Sequence, residues 1–409
     1  MSPGQPLDTH ITLDHEPQLH KYFRAAIKTQ ANDLHLKVGQ PAKLRHKGQL
    51  RSTTGEILTQ EKLEEMIFEI LSPIQKEFLL VHGTLDVAHE IDQPLTTDYT
   101  DSHGLKMSDS IKSPKSEKSV VSSFESHRFR INVFRQRGMI SLAARRVSAY
   151  VPSFEELHLP AILSRIADTN QGLVLVVGPT GCGKTTTIAS MIDHVNRTRS
   201  CHIVTVEDPI EYLFKDQKAI VSQREIGIDV PDYDDALKYL MRQDPDVVFI
   251  GEMRDARTVT AGMRAAETGH LVFATCHSAN ASQTVHRILD LFPPPERDLA
   301  RQTLSLAIKA IVSQVLLPSI KEGIDRMPAV EILLANAAVR KLICEGREGD
   351  LPSVIRSCVQ EGMQDFTDTL CELVKNGSVD PKDAYKYAPN KDELKMALKG
   401  IRTTAEGIL

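Results

Sequence analysis

What this 409-residue chain lacks narrows its roles before any motif is considered. No apolar run approaches the ~18 residues needed to cross a bilayer, so no transmembrane segment is expected. Residues 1–19 carry Pro3, Asp8, Asp14 and Glu16 and have no apolar stretch of the kind a secretory signal needs. The six cysteines (Cys182, Cys201, Cys276, Cys344, Cys358 and Cys371) contain no C-x-x-C pair, which argues against a zinc knuckle. Several stand in apolar stretches and read as buried, reduced thiols of a cytosolic protein. Positive charge is not in excess: the net charge is −5 and the pI near 6.3, unlike a strongly basic nucleic-acid binder. No repeat of fixed period is present.

What remains is an ordinary globular composition, 41% hydrophobic and 25% charged. The length exceeds the ~250–300 residues at which one core stops growing, so two or more domains are expected. Residues 1–17 read as a flexible tail. Leu19, Phe23 and Ile27 have helical spacing, and Asp33-Leu34-His35-Leu36-Lys37-Val38 alternates as a strand before the Gly39-Gln40-Pro41 turn. Residues 61–71 are amphipathic. Residues 93–126 hold nine Ser and four Lys with few large apolar groups, and read as a mobile surface insertion in a first domain spanning 18–149. Strand pattern resumes at Arg128-Phe129-Arg130-Ile131-Asn132-Val133-Phe134.

Residues 150–160, punctuated by Pro152 and Pro160, read as a linker to a second domain over 161–398, with 399–409 as a tail. Short apolar runs at 173–177, 203–206, 247–250 and 271–274 alternate with helical patterns. Continuous apolar strands of that length fit an α/β parallel sheet covered on both faces. The last hundred residues read as mainly helical.

The strongest chemical signal is Gly178-Pro179-Thr180-Gly181-Cys182-Gly183-Lys184-Thr185, a G-x-x-x-x-G-K-[ST] loop between an apolar strand and a helix that begins near Thr186. Its glycines let backbone N–H groups approach phosphate oxygens without an intervening Cβ, and the helix N-terminus adds positive potential. Lys184 is placed for the β/γ-phosphates and the Thr185 hydroxyl for Mg²⁺, which makes ATP with Mg²⁺ the expected ligand pair. The run Asp246-Val247-Val248-Phe249-Ile250-Gly251-Glu252 delivers an acid to the end of a strand, where Glu252 would orient or deprotonate the attacking water; a solvated acid is the alternative. Glu207, Asp208 and Glu211 follow the strand at 203–206 and are candidates for Mg²⁺–water contacts. His277 follows the strand at 271–274 and could sense a γ-phosphate, while His270 reads as structural. In the first domain, Arg128, Arg130, Arg135, Arg137, Arg145 and Arg146 could meet charge developing on the γ-phosphate, or could form a solvated basic face.

In this order the motifs resemble those of the type IV pilus retraction ATPases, the PilT family of the secretion and pilus motor ATPases, over most of residues 20–398. Residues 205–211 resemble the family's Asp box, 242–255 its atypical Walker B segment, 269–277 its His box, and Asn32-Asp33-Leu34-His35-Leu36 its N-terminal signature. Residues 338–345 resemble a C-terminal motif linked to retraction, with Lys341 and Cys344 departing from it. Cys182, Thr185, Ala274 and Cys276 are further departures, and the insertion at 93–126 is atypical. The absence of a four-cysteine zinc module favours the retraction side.

The resemblance implies an N-terminal PAS-like α+β domain and a C-terminal RecA-like P-loop ATPase domain with a helical C-terminal part. Six copies would form a ring with nucleotide between the domains. Catalysis falls to Glu252 and positioning of Mg²⁺ and water to Glu211 and its neighbours; Arg128, Arg130 and Arg146 would approach the phosphates. The implied setting is the cytoplasmic side of the inner membrane at the pilus base. An inner-membrane platform protein would be the partner, with a paralogous retraction ATPase as a further one and no nucleic acid. Rival readings are an accessory pilus or type IV secretion ATPase, a RecA-like nucleic-acid translocase, and a nucleotide-binding regulator without turnover.

Overall fold

The computed structural model of the chain describes residues 15–46, 49–94 and 124–401. Most of the tail read at 1–17, of the insertion read at 93–126 and of the tail read at 399–409 lies outside the described residues. The chain forms two compact units, Met1–Ser148 and Ala149–Leu409.

The first unit opens with α1 (His20–Lys28), whose Phe23 and Ala26 are buried. Strands β1 (Asp33–Lys37), β2 (Lys43–His46) and β3 (Gln49–Ser52) lead to α2 (Gln60–Glu69) and α3 (Pro73–His82). Local chemistry sets these helix ends. Thr59 caps α2 by accepting from the Lys62 N–H, and Ser72 with Gln75 forms a reciprocal capping box on α3. Gly83, at φ 73°, ends α3 in the left-handed region. Strands β4 (Thr84–Pro94), β5 (Phe124–Gln136) and β6 (Met139–Arg146) complete an antiparallel six-stranded sheet in the order β3-β2-β1-β6-β5-β4.

One face of this sheet packs on the helices, with Leu34, Leu36, Ile131, Val133, Leu142 and Ala144 meeting Phe23, Leu63 and Ile67. The Phe23 and Phe129 rings stack at 4.5 Å. Asp33, in the segment read as an N-terminal signature, holds three strands together: it accepts from Arg45 on β2 at 3.2 Å and from Arg145 on β6 at 2.7 Å. Its place in the fold is that of a buried carboxylate joined across strands to the half-buried Arg45 and the exposed Arg145.

The second unit contains α4 (Ile162–Ala167), β7 (Gly172–Val177), α5 (Lys184–Thr198), β8 (His202–Glu207), β9 (Ile220–Glu225), α6 (Tyr233–Leu240), β10 (Val247–Ile250), α7 (Ala256–Glu267) and β11 (Leu271–Cys276). These are followed by α8 (Ala281–Asp290), α9 (Arg297–Ala307), β12 (Ile308–Pro318), β13 (Arg326–Leu334) and five helices: α10 (Ala337–Cys344), α11 (Leu351–Ser357), α12 (Phe366–Lys375), α13 (Pro381–Tyr387) and α14 (Lys391–Leu398). The sheet order is β13-β12-β7-β11-β10-β8-β9, parallel except for β13. Every residue of β7, β10 and β11 is buried. In β7, Leu173, Leu175 and Val177 face one helical layer while Val174 and Val176 face the other, the signature of a sheet covered on both sides.

Two expectations need correction. The final hundred residues are not mainly helical at their start, because β12 and β13 form a long antiparallel pair from Ala310↔Leu334 to Pro318↔Arg326. β12 is buried on both faces over most of its length, and its polar residues Lys309, Ser313 and Gln314 do not alternate, so no two-residue period marks it as a strand. The cysteines are all free, but only Cys182, Cys276 and Cys371 are buried; Cys344 is exposed, and Cys201 and Cys358 are intermediate. Residues 150–160, read as a linker, include Phe154 and Leu159, which are buried in the second unit among Leu163, Ile188 and Val195.

Phe23→Ala should lower the stability of the first unit by about 3–5 kcal/mol, since a stacked aromatic is lost from a fully buried position. Urea unfolding of the full chain should show an earlier first transition, with protease cuts appearing before Ser148.

Candidate active site

Parallel pairing fixes where the candidate residues can go. Val177 on β7 lies opposite Cys276 on β11, and Ile250 on β10 lies opposite both Ala274 on β11 and Val206 on β8. Gly178, Glu207, Glu252 and His277 therefore leave the sheet at one C-terminal edge, the edge at which α/β sheets bind ligands.

The loop after β7 turns by way of three glycines with positive φ: Gly178 at 151°, Gly181 at 79° and Gly183 at 88°. Gly178 has a second reason to be glycine. A Cβ there would stand 2.2 Å from the Gln314 carbonyl oxygen and 2.6 Å from the Cys182 Sγ. Pro179 and Thr180 are exposed at the tip, and Thr185 is half-buried in the first turn of α5. Lys184 is largely buried, and its Nζ donates to the Gly178 carbonyl at 3.0 Å and the Pro179 carbonyl at 3.2 Å. The loop thus encloses an ammonium group beside the helix N-terminus, a paired source of positive potential for an anion. Thr186 shares a hydrogen bond with the Tyr212 hydroxyl at 3.0 Å.

Glu252 follows β10 and is flanked on both sides. Arg254 Nη2 lies 2.7 Å from one carboxylate oxygen, and His277 Nε2 lies 3.3 Å from the other. Burial alone would raise the Glu252 pKa, but the Arg254 hydrogen bond and charge outweigh it and hold the group below the ordinary carboxylate value. Burial and the Lys184 charge lower the His277 pKa against the opposing pull of Glu252. At neutral pH the site therefore holds an ionised glutamate and a neutral imidazole. The Thr275 hydroxyl donates to the Gly251 carbonyl at 2.5 Å, and the Met253 N–H donates to the Thr275 carbonyl at 3.0 Å, tying the ends of β10 and β11 together.

Of the three acids, only Glu207, the last residue of β8, is buried; Asp208 and Glu211 are exposed in the loop that follows. Glu207 accepts from the Thr205 hydroxyl at 2.7 Å and from the Gln223 side-chain amide at 3.2 Å. Burial pushes its pKa up to about 7 despite these donors. His270 Nδ1 lies 2.9 Å from the Ala265 carbonyl, joining the end of α7 to the start of β11. A cavity of about 360 Å³ opens beside the loop, lined in part by Gly183, Thr186, Leu159, Leu316, Asp325 and Arg326.

Arg128, Arg130 and Arg146 belong to the first unit. On the face of β5 paired with β4, Arg128 lies 3.4 Å from Glu90 and Arg130 lies 3.9 Å from Asp86, so both guanidinium groups have acidic neighbours there. Arg146 closes β6, with its N–H donating to the Asn32 carbonyl at 2.9 Å.

Residues 144–389 match the family described as Type II/IV secretion system protein. The type IV pilus ATPase PilU of Pseudomonas aeruginosa is 32% identical over 93% of this chain and 91% of its own length. The type IV pilus retraction ATPase PilT of the same organism is 34% identical over 88% and 95%. The crystal structure of the pilus retraction motor PilT with bound ADP is 38% identical and covers 93% of this chain and 99% of its own, with a TM-score of 0.76.

The chain belongs to this secretion ATPase family, in its pilus retraction branch. Its first unit is accordingly the N-terminal PAS-like domain and its second the RecA-like ATPase domain. Among the described residues, no helix is long and apolar enough to cross a membrane.

Two family-site neighbours escaped the sequence reading. Arg254 stands two residues past Glu252, a spacing that returns its side chain to the same side of the strand end. Gln314 stands with Ser313 between the apolar residues 310–312 and 315–317, and that polar pair was the available signal; its side chain reaches the phosphate loop.

The raised Glu207 pKa carries a stability consequence. An acid whose native pKa lies above its unfolded value gains a proton on folding between the two, so stability falls as pH rises from about 4.5 to about 7 and levels off beyond. In nucleotide-free protein, Glu207→Gln should flatten that portion of the stability–pH curve, as read by urea melts at pH 5, 6, 7 and 8.

Proposed function

We propose that the chain is an ATP-hydrolysing motor that powers type IV pilus retraction. The observation that carries this reading is the meeting of the phosphate loop with the Glu252–Arg254–His277 cluster at one sheet edge. Phosphates would displace the loop carbonyls from Lys184 Nζ, which then reaches the β/γ oxygens, while backbone N–H groups of residues 178–185 surround the chain of charges. The cavity beside Gly183 and Thr186 would take the nucleoside.

The donors at this edge, the Thr185 hydroxyl and the carboxylates of Glu207, Asp208 and Glu211, are all oxygen, which suits Mg²⁺. Thr185 would hold it, with Glu211 and its neighbours ordering the surrounding water. When bound, Mg²⁺ neutralises charge on the phosphate oxygens. Glu252, ionised by its neighbours, orients the attacking water and accepts its proton. His277, neutral beside Lys184, is placed to hydrogen-bond a γ-phosphate and report its loss. Arg128, Arg130 and Arg146 would approach the phosphates from the first unit, Arg128 and Arg130 giving up Glu90 and Asp86 to do so.

In this proposal six copies form a ring and loss of the γ-phosphate rotates its domains as rigid bodies. The ring acts on an inner-membrane platform protein at the cytoplasmic face of the pilus base, alongside a paralogous retraction ATPase.

Lys184→Ala should reduce turnover about 10²-fold or more, and wild-type hydrolysis by that variant would overturn the phosphate-loop assignment. Glu252→Gln should bind ATP normally while losing about 10²–10⁴-fold in turnover. The motor role is read by twitching: the wild-type chain should restore it in cells lacking their retraction ATPase, and the Glu252→Gln chain should not.

A further inference from the structure

We propose that Gln314 is a positioning residue for nucleotide binding: its buried amide sets the peptide between Cys182 and Gly183 so that the Gly183 N–H faces the phosphates. This inference rests on the phosphate-loop reading above.

Strand register brings Gln314 to the loop. β12 runs parallel to β7 with Ser313 opposite Val177, so the next residue on each strand, Gln314 and Gly178, come side by side where β7 becomes the loop. The backbone of Gln314 fills the space beside Gly178, in which a Cβ could not fit. Its side chain continues beneath the loop. Gln314 Nε2 donates to the Cys182 carbonyl at 2.6 Å, and its Oε1 accepts from the Thr187 hydroxyl at 2.8 Å. Gln314 is 3% exposed and Thr187 1% exposed, so water does not compete for either bond.

The orientation of the amide follows from this chemistry. Only the NH₂ end can serve a carbonyl, which leaves the oxygen for the Thr187 hydroxyl. The consequence for the loop follows from peptide planarity. In a trans peptide the C=O and the next N–H point in opposite directions. Drawing the Cys182 carbonyl down toward Gln314 therefore turns the Gly183 N–H up and away from it, toward the open side of the loop. Gly183 sits at φ 88° and caps α5, so nothing in its own conformational preference holds that peptide in one orientation. Because Thr187 lies in the first turn of α5, one side chain clamps the loop to the helix whose N-terminus faces the anion.

The test compares two substitutions in the full-length protein. Gln314→Met keeps the side-chain length and removes both polar ends. Gln314→Glu keeps an acceptor for Thr187 and removes the donor to Cys182. Losing a buried hydrogen bond that orients one phosphate donor should raise KM for ATP about tenfold in both variants, with kcat within about threefold of wild type and a matching rise in the Kd of a fluorescent ADP analogue. A merely structural role predicts a lower melting temperature in nucleotide-free protein with KM unchanged, and that outcome would overturn the proposal, as would a fall in kcat at constant KM. Should Gln314→Met fail to fold, Gln314→Glu alone decides. Lys184→Ala separates the two levels of the argument. If it too binds nucleotide normally, the phosphate-loop reading has failed. If it loses nucleotide while both Gln314 variants keep wild-type KM, only the role of Gln314 has failed.

Discussion

Parallel register among β7, β11, β10 and β8 is the constraint on which the site depends. The strands run in one direction, so each returns to the same edge after its crossover, and residues nearly a hundred positions apart in sequence become neighbours. The register also fixes depth. Ile250 and Val206 share one level with Ala274, two residues before the paired Val177 and Cys276, so the groups at these strand ends face a common space. The strands are therefore largely apolar on both faces, and the chemistry-bearing residues follow close behind them. The chemistry is confined to strand ends because the strand interiors are occupied by core packing.

The charges at that edge are balanced against one another in a particular way. Lys184 is held by two backbone carbonyls, and Glu252 is held by Arg254 and His277, so each half of the site is satisfied by its own local partners. In the proposed function, an entering triphosphate would exchange the weak acceptors around Lys184 for strong ones and add negative charge near Glu252. The Arg254 guanidinium is the group best placed to offset that repulsion, because it already sits on the carboxylate and is itself mostly solvent-facing.

Much of this was legible in the sequence, for identifiable reasons. The loop at 178–185 announces itself because its backbone path demands glycine at fixed places, and the four strand runs do so because burial on both faces leaves them almost wholly apolar, Thr205 being the exception. Asp33 was visible as part of a family signature, but its role as a cross-strand ion pair was not, because Arg45 and Arg145 reach it only through sheet pairing. β12 and β13 were missed for a related reason: β12 lies between β7 and β13, and both strands are buried on both faces, so neither shows an alternating pattern. Gln314 was missed because its contacts lie across the fold, and Arg254 because only the turn after β10 brings its guanidinium back onto Glu252. The first-unit arginines were visible as a cluster, whereas their acidic partners Glu90 and Asp86 became apparent only once β4 was paired with β5.

The same geometry explains why Cys182 can stand in the loop. The thiol is buried, its pKa is raised by desolvation, and its sulfur lies in the space beside Gly178 that a Cβ on that glycine would invade. A raised pKa disfavours the thiolate, the form that reacts with oxidants and metals, so the cysteine acts as a small apolar filler. What the position requires is a side chain small enough to fit beside Gly178, on a residue whose carbonyl is free to meet Gln314. The contact between Gln314 and the loop is made by the backbone of residue 182, and its side chain can vary within that volume without altering the path of the chain around a phosphate.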